Sequence, residues 1–168
     1  KQPPCDLEAL VDAYQGALVR YATRLVGNRE LAQDVVQETF LKYLERPLRF
    51  GEPLQWASWL YRVTHNRCID LLKRDARRRQ LNLFAPKPAS IEAPGEGLIG
   101  EEQRRAVGRW LDKLKPEHRA VVLLFFDEGK TYSEICEITG LSSSNAGMIL
   151  HRSLKRLRKY ADAERDGL

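Results

Sequence analysis

An all-α fold, two small helical domains joined by a flexible linker, is predicted by three features of this 168-residue sequence. Apolar residues recur at spacings of three and four over long stretches, the signature of helices with one buried face. No stretch alternates apolar and polar residues long enough to make a strand, and no internal repeat is visible. Residues 80–100, QLNLFAPKPASIEAPGEGLIG, collect Pro86, Pro88, Pro94, Gly95, Gly97 and Gly100, too many helix breakers for a helix. The N-terminal domain is therefore set at 1–79, the linker at 80–100 and the C-terminal domain at 101–168. A hydrophobic content of 43% over this length is enough to bury one or two small cores.

Helical periodicity runs first from Leu7 to Val26, then from Leu31 to Leu44 and from Trp56 to Leu72, with RPLRFGEP at 46–53 as the interruption. The third stretch carries two faces. Arg62, Asn66, Asp70, Lys73, Arg74 and Arg77 share one side, with Arg78 beside them, while Trp56, Leu60, Val63 and Leu71 share another. Trp59 and Tyr61 stand at the start of the polar stripe, where a flat ring can stack on an unpaired base for about 1–3 kcal/mol each. The guanidinium and ammonium groups downstream suit backbone phosphate.

In the C-terminal domain, Pro116 opens and Gly129 follows the segment PEHRAVVLLFFDE, the usual order of helix start and stop signals. Thr131 and Glu134 have capping-box spacing, Gly140 suits a left-handed helix end, and Ser142 is placed to cap the next helix. This is a helix-turn-helix in which Ala146, Leu150, Leu154 and Leu157 are expected to be buried. Its outer face would present Ser144, Asn145, Met148, His151, Arg152 and Lys155 to a major groove.

Charge supports a polyanion held at two places. Residues 62–79 carry seven Lys or Arg against Asp70 and Asp75, and residues 143–160 carry five with no acid, each net +5. The whole chain is also only +5, so the remainder is acidic. A membrane surface is the rival partner, but apolar runs such as AVVLLFF at 120–126 are far too short to span a bilayer. No secretory leader is seen, and cytoplasm is the expected compartment. Cys5, Cys68 and Cys136 are odd in number and far apart, so no disulfide framework, metal site or cofactor is expected, and Cys68 and Cys136 read as small buried hydrophobes. The absence of a Gly-rich phosphate loop, a carboxylate cluster or a nucleophile with its base argues against an enzyme.

Three motifs in order, NRELAQDVVQETFLKYLE, WASWLYRVTHNRCIDLLKRDARR and LKPEHRAVVLLFFDEGKTYSEICEITGLSS, carry a resemblance that covers nearly the whole chain. The sequence resembles the extracytoplasmic-function (ECF) group of the sigma-70 superfamily, the motifs corresponding to region 2.2, regions 2.3 and 2.4, and the start of region 4. The resemblance implies a non-catalytic promoter-recognition subunit of bacterial RNA polymerase. Region 2 would bind the clamp helices of the β′ subunit and open the minus-10 element. Region 4 would sit on the β flap and read the minus-35 element, and an anti-sigma factor is a further partner.

On that reading Asp34, Gln37, Glu38 and Leu41, on a helix netting −3 from Glu30 to Glu45, contact the clamp helices. The loop RPLRFGEPLQ with Trp59, Tyr61 and Asn66 holds a flipped base, with Lys73, Arg74, Arg77 and Arg78 on phosphates. Relatives often read GTVKSRLHRA where this chain reads SNAGMILHRS, so a basic contact at Gly147 or Ile149 does not carry over. The linker, roughly 70 Å when extended, is long enough to join two promoter elements about 50 Å apart. It is expected to be loose in the free protein, whose domains can fold together and hide their basic faces. Two other classes stay open. A helix-turn-helix regulator would bind duplex operators without polymerase, and a pure interaction protein would use neither basic segment on DNA.

Overall fold

The computed structural model describes residues 6–45, 53–81 and 100–167. Among them the chain forms α1 (Leu7–Val26), α2 (Arg29–Glu45), α3 (Pro53–Leu81), α4 (Glu101–Asp112), α5 (Pro116–Phe126), α6 (Tyr132–Thr139) and α7 (Ser143–Asp166), with no strand. Most of the linker, 82–99, and the loop at 46–52 lie outside the described residues, as does Cys5.

The N-terminal domain is a bundle of α1, α2 and α3. Gly27, at φ 75°, ends α1 by donating its N–H to Thr23 O at 2.8 Å, and the Asn28 side chain starts α2 by accepting from the Leu31 N–H at 3.0 Å. A left-handed residue with no Cβ closes the helix at little steric cost. Leu18, Tyr21 and Leu25 of α1 meet Val36 and Phe40 of α2 and Leu60 and Cys68 of α3 in the core. Two polar pairs lie within it: the Thr39 and Thr64 hydroxyls are 3.1 Å apart, and the Tyr21 hydroxyl is 2.9 Å from His65 Nδ1, whereas Trp56 Nε1 is buried without a partner. Burial lowers the His65 imidazole to about 4, so it stays neutral and structural. Burial likewise pushes the Cys68 thiol up to about 12, which fits an inert packing residue, whereas Cys136 is half-buried.

Past Leu72, α3 loses its apolar period yet continues to Leu81. The run KRDARRRQ consists largely of good helix formers, so propensity extends the helix where packing does not demand it. The helix thus runs two residues past position 79.

In the C-terminal domain α5, α6 and α7 enclose Ala120, Val121, Leu124, Ile135, Ile138, Ala146 and Leu150. Thr131 and Glu134 form the capping box, with Thr131 Oγ1 accepting from the Glu134 N–H at 3.2 Å and Glu134 Oε2 accepting from the Thr131 N–H at 2.8 Å. Ser142 caps α7 through the Asn145 N–H at 3.2 Å, and Gly140 ends α6 at φ 76°. One expected core residue is displaced: Leu154 is exposed, and Ser153 takes the buried position between Leu150 and the half-buried Leu157. Each helical step turns about 100°, so a run of four-residue steps drifts off the buried line and a three-residue step restores it. The remaining helix, α4, is tied to the far end of α7 by Trp110 Nε1, which donates to Glu164 Oε2 at 2.7 Å, and by the Arg109–Glu164 ion pair.

The two domains are packed against each other, α5 and α6 lying on α1 and α3. Arg119, at the base of α5, reaches across to donate to Leu25 O at 3.2 Å, one of the carbonyls left unpaired at the end of α1.

Candidate nucleic-acid interface

The stripe on α3 is presented to solvent. Arg62, Asn66, Asp70, Lys73, Arg74, Arg77 and Arg78 are all exposed, while Leu60, Tyr61, Thr64, His65 and Cys68 fill the opposite side. Trp59 is half-buried, with its ring edge-on to Tyr43 at 6.2 Å between centroids, so its orientation is held by packing. Lys73 is also 3.7 Å from Glu117 of α5, an exposed pair of little energetic weight.

Tyr61 does not share this surface. It is buried, and its hydroxyl donates to Glu128 Oε2 at 2.6 Å, with the Tyr21 ring 5.8 Å away and Lys130 Nζ 4.3 Å from its centroid. Burial, reinforced by that hydrogen bond to a carboxylate, raises its pKa far above the phenol range. The helical period already carries the distinction: residues 59 and 61 point about 200° apart, whereas 59 and 66 differ by only about 20°. Trp59 and Asn66 thus share a face that Tyr61 leaves.

What seals Tyr61 is the turn DEGK between α5 and α6. Asp127 pairs with Arg24, Glu128 accepts from Tyr61 and lies 3.4 Å from Arg20, and Gly129 at φ 61° lets the chain bend so that Lys130 covers the Tyr61 ring. The Glu128 side chain is only 3% exposed. These partners are more than 60 residues apart in sequence, and no local pattern announces them. The closed arrangement hides Tyr61 and leaves the basic face of α3 exposed, so packing of the two domains does not conceal that basic face as expected.

On the second helix, Ser144, Asn145, Met148, His151, Arg152 and Lys155 are all exposed. The buried line of α7 lies opposite, through Ala146, Leu150 and Ser153. Gly147 has no close neighbour: a Cβ there would meet only Tyr132 Cε1, at 4.0 Å. Gly147→Ala is accordingly expected to raise stability by about 0.5–1 kcal/mol through helix propensity. A urea titration checks this, and a lower midpoint would show that the glycine is required by the fold.

On α2, Asp34, Gln37 and Leu41 are exposed. Glu38 is committed within the molecule, accepting from Arg67 Nε at 2.8 Å and from its Nη2 at 3.3 Å, which braces α2 against α3. Arg67, just off the basic stripe, went unread in the sequence because its partner lies 29 residues away. Between α1 and α2 an apolar cleft of about 360 Å³ is lined by Leu7, Val11, Phe40, Leu41 and Leu44, with Gln37 at its polar rim. Leu41 and Leu44 are half exposed, which a monomer gains nothing from leaving in water. Among the described residues no His, Cys, Asp and Glu group is arranged to hold a metal ion, and no helix is long and apolar enough to cross a membrane.

The sigma-70 region 2 model matches residues 10–78 and the sigma-70 region 4 model residues 110–159. The chain is 32% identical over 160 residues to the ECF RNA polymerase sigma factor SigE of Mycolicibacterium smegmatis, covering 91% of this chain and 60% of that protein. It is 30% identical over 154 residues to the ECF RNA polymerase sigma factor SigL of Mycobacterium tuberculosis, covering 90% and 86%. Its fold is similar to that of the Bartonella quintana sigma factor RpoE, solved in complex with the anti-sigma factor NepR. That match has a TM-score of 0.76 at 19% identity over 94% of this chain and 97% of that one.

Proposed function

Since this chain belongs to the ECF group of sigma-70 factors, we propose that it joins the core of bacterial RNA polymerase and directs it to promoters through two DNA-facing helices. It is an alternative sigma factor. In this reading residues 1–79 bind core and engage the minus-10 element, and 101–168 engage the minus-35 element. The sigma-factor family is a non-catalytic part of polymerase, and this chain acts by positioning alone, in the cytoplasm where transcription occurs. The observation that carries the reading is the face of α3, which exposes seven polar or charged side chains from Arg62 to Arg78 while its other side is sealed in the core. A solvated helix end accounts for the cations; it does not account for an exposed Asn66 in line with a fixed Trp59. Run-off transcription tests it: the purified chain added to core polymerase should start transcripts at defined sites, and core alone should not. A shift assay of the chain by itself separates the operator-binding alternative, which requires tight sequence-specific duplex binding without polymerase.

Core polymerase docks in this reading on α2, where the cleft of Leu41 and Leu44 offers apolar area, Gln37 offers a polar contact at its rim, and Asp34 is exposed on the same helix. The net −3 of residues 30–45 suits a basic partner such as the β′ clamp helices. Substituting both Asp34 and Gln37 with Ala is expected to weaken core binding about fivefold, or ~1 kcal/mol, without changing thermal unfolding. Anisotropy of the labelled chain titrated with core measures this, and unchanged affinity removes α2 from the interface. Region 4 contacts the β flap in the same reading. An anti-sigma factor is a further partner, supported by the fold shared with RpoE, which was solved with one.

A further inference from the structure

Beside α7 the surface holds a cationic cleft of which the reading above uses only Arg152 and Lys155. Lys115 and His118, from the start of α5, face Arg152, Lys155, Arg156 and Lys159 of α7 across a space of about 530 Å³. Apart from the half-buried His118, these side chains are exposed. Glu117 is the one acid in this first turn of α5, and it lies 3.7 Å from Lys73 of the other domain. Residues 143–160 contain no acid at all. Five unneutralised cations so close together repel one another, an arrangement that an anion relieves.

We propose that this cleft is a second phosphate seat, in which Lys115, His118, Arg156 and Lys159, with Arg152 and Lys155, hold backbone phosphates of duplex DNA beside the bases met by the first turns of α7. The inference rests on the reading of α7 as the minus-35 helix and extends its footprint. Helical geometry places the seat there. At about 100° per residue, Met148, Arg152, Lys155 and Lys159 fall within about 60° of one another, opposite the buried line of α7. At about 1.5 Å per residue Lys159 stands roughly 16 Å beyond Met148, farther than the roughly 12 Å width of a major groove. A helix whose first turns meet bases therefore brings Arg156 to the groove wall and carries Lys159 past it, where phosphates lie. From the other side comes the N-terminus of α5, whose N-cap Lys115 makes no side-chain capping bond, so the helix end adds its partial positive charge to the cleft. His118 Nδ1 is buried without a hydrogen-bond partner. Burial first, then Lys115, Arg156 and Arg152 hold its imidazole below the usual range against the opposing pull of Glu117. A phosphate in the cleft reverses that balance and favours the imidazolium as a donor.

The experiment measures affinity of the reconstituted polymerase for a labelled promoter duplex between about 50 and 200 mM salt, with the wild-type chain and with Arg156→Gln/Lys159→Gln. Each phosphate contact contributes about 0.9 to the slope of log affinity against log salt. The double variant should lower the slope by about 1 to 2, weaken every promoter alike and leave minus-35 base preference unchanged. Thermal unfolding of the variant reports that the fold is kept. An unchanged slope in a variant that still directs promoter-specific transcription overturns the seat and leaves the sigma reading standing. If the wild-type chain confers no promoter binding on core, both fall. In a second arm, inorganic phosphate is titrated into the free chain while the His118 ring protons are followed by NMR. Saturable phosphate binding together with an unchanged DNA slope would assign the cleft to a free anion and overturn the DNA assignment.

Discussion

Glu128→Lys is expected to open the molecule, shifting the balance between closed and separated domains toward the separated form by at least about tenfold. The carboxylate is almost fully enclosed, accepts from the Tyr61 hydroxyl at 2.6 Å and lies 3.4 Å from Arg20. A hydrogen bond to a charged group contributes about 1.5–3 kcal/mol, and each 1.4 kcal/mol is a factor of ten in a population. Lysine removes the acceptor and sets a third cation beside Arg20 and Lys130, the two already gathered at the Tyr61 ring and its carboxylate partner. Both domain cores are built from other residues, so the helix content should hold while the radius of gyration from small-angle scattering rises. Glu128→Gln, which keeps an acceptor for Tyr61 and loses only the charge, should fall between. If Glu128→Lys stays as compact as the wild type, the domains are held by their apolar contacts and the turn is incidental.

That turn also marks the limit of what local pattern conveys. Capping residues Thr131 and Ser142 and the left-handed Gly140 each act within four residues of themselves, and the helices they bound could be read directly from the sequence. Leu154 failed for a small geometric reason, a four-residue step that drifts off the buried line, and Ser153 inside the helix hid the alternative. Tyr61 failed for a larger one. An amphipathic helix with one buried face is legible, but α3 is covered by α1 on one side and by the second domain on another, and only the tertiary arrangement says which aromatic is enclosed. Arg20, Arg24, Asp127 and Glu128 read as solvated charges until the domains meet. The cationic cleft is intermediate: its α7 half was visible as a basic run, whereas Lys115 and His118 join it only because α5 starts beside α7.

Asn66→Ala and Arg77→Ala are expected to fail in different ways, and the difference tests what the α3 face does. Asn66 is exposed two helical turns from Trp59 and on the same side, so an unpaired base lying on the indole would present its edge to an amide that both donates and accepts. Losing such a pair costs about 1–3 kcal/mol of discrimination between bases, about tenfold or more at one position. Arg77 is farther along the same face and exposed, which suits a phosphate and carries no base information. Its removal should weaken all promoters alike and lower the salt slope by about 1. Transcription from promoters randomised at each minus-10 position, repeated across salt concentrations, reads both effects together. If Asn66→Ala weakens every promoter equally, Asn66 is one more backbone contact and the base pocket must be built elsewhere. The residue to examine would then be Tyr61, whose ring, on the opposite side of α3, is bonded to Glu128 through its hydroxyl and would be freed by opening there.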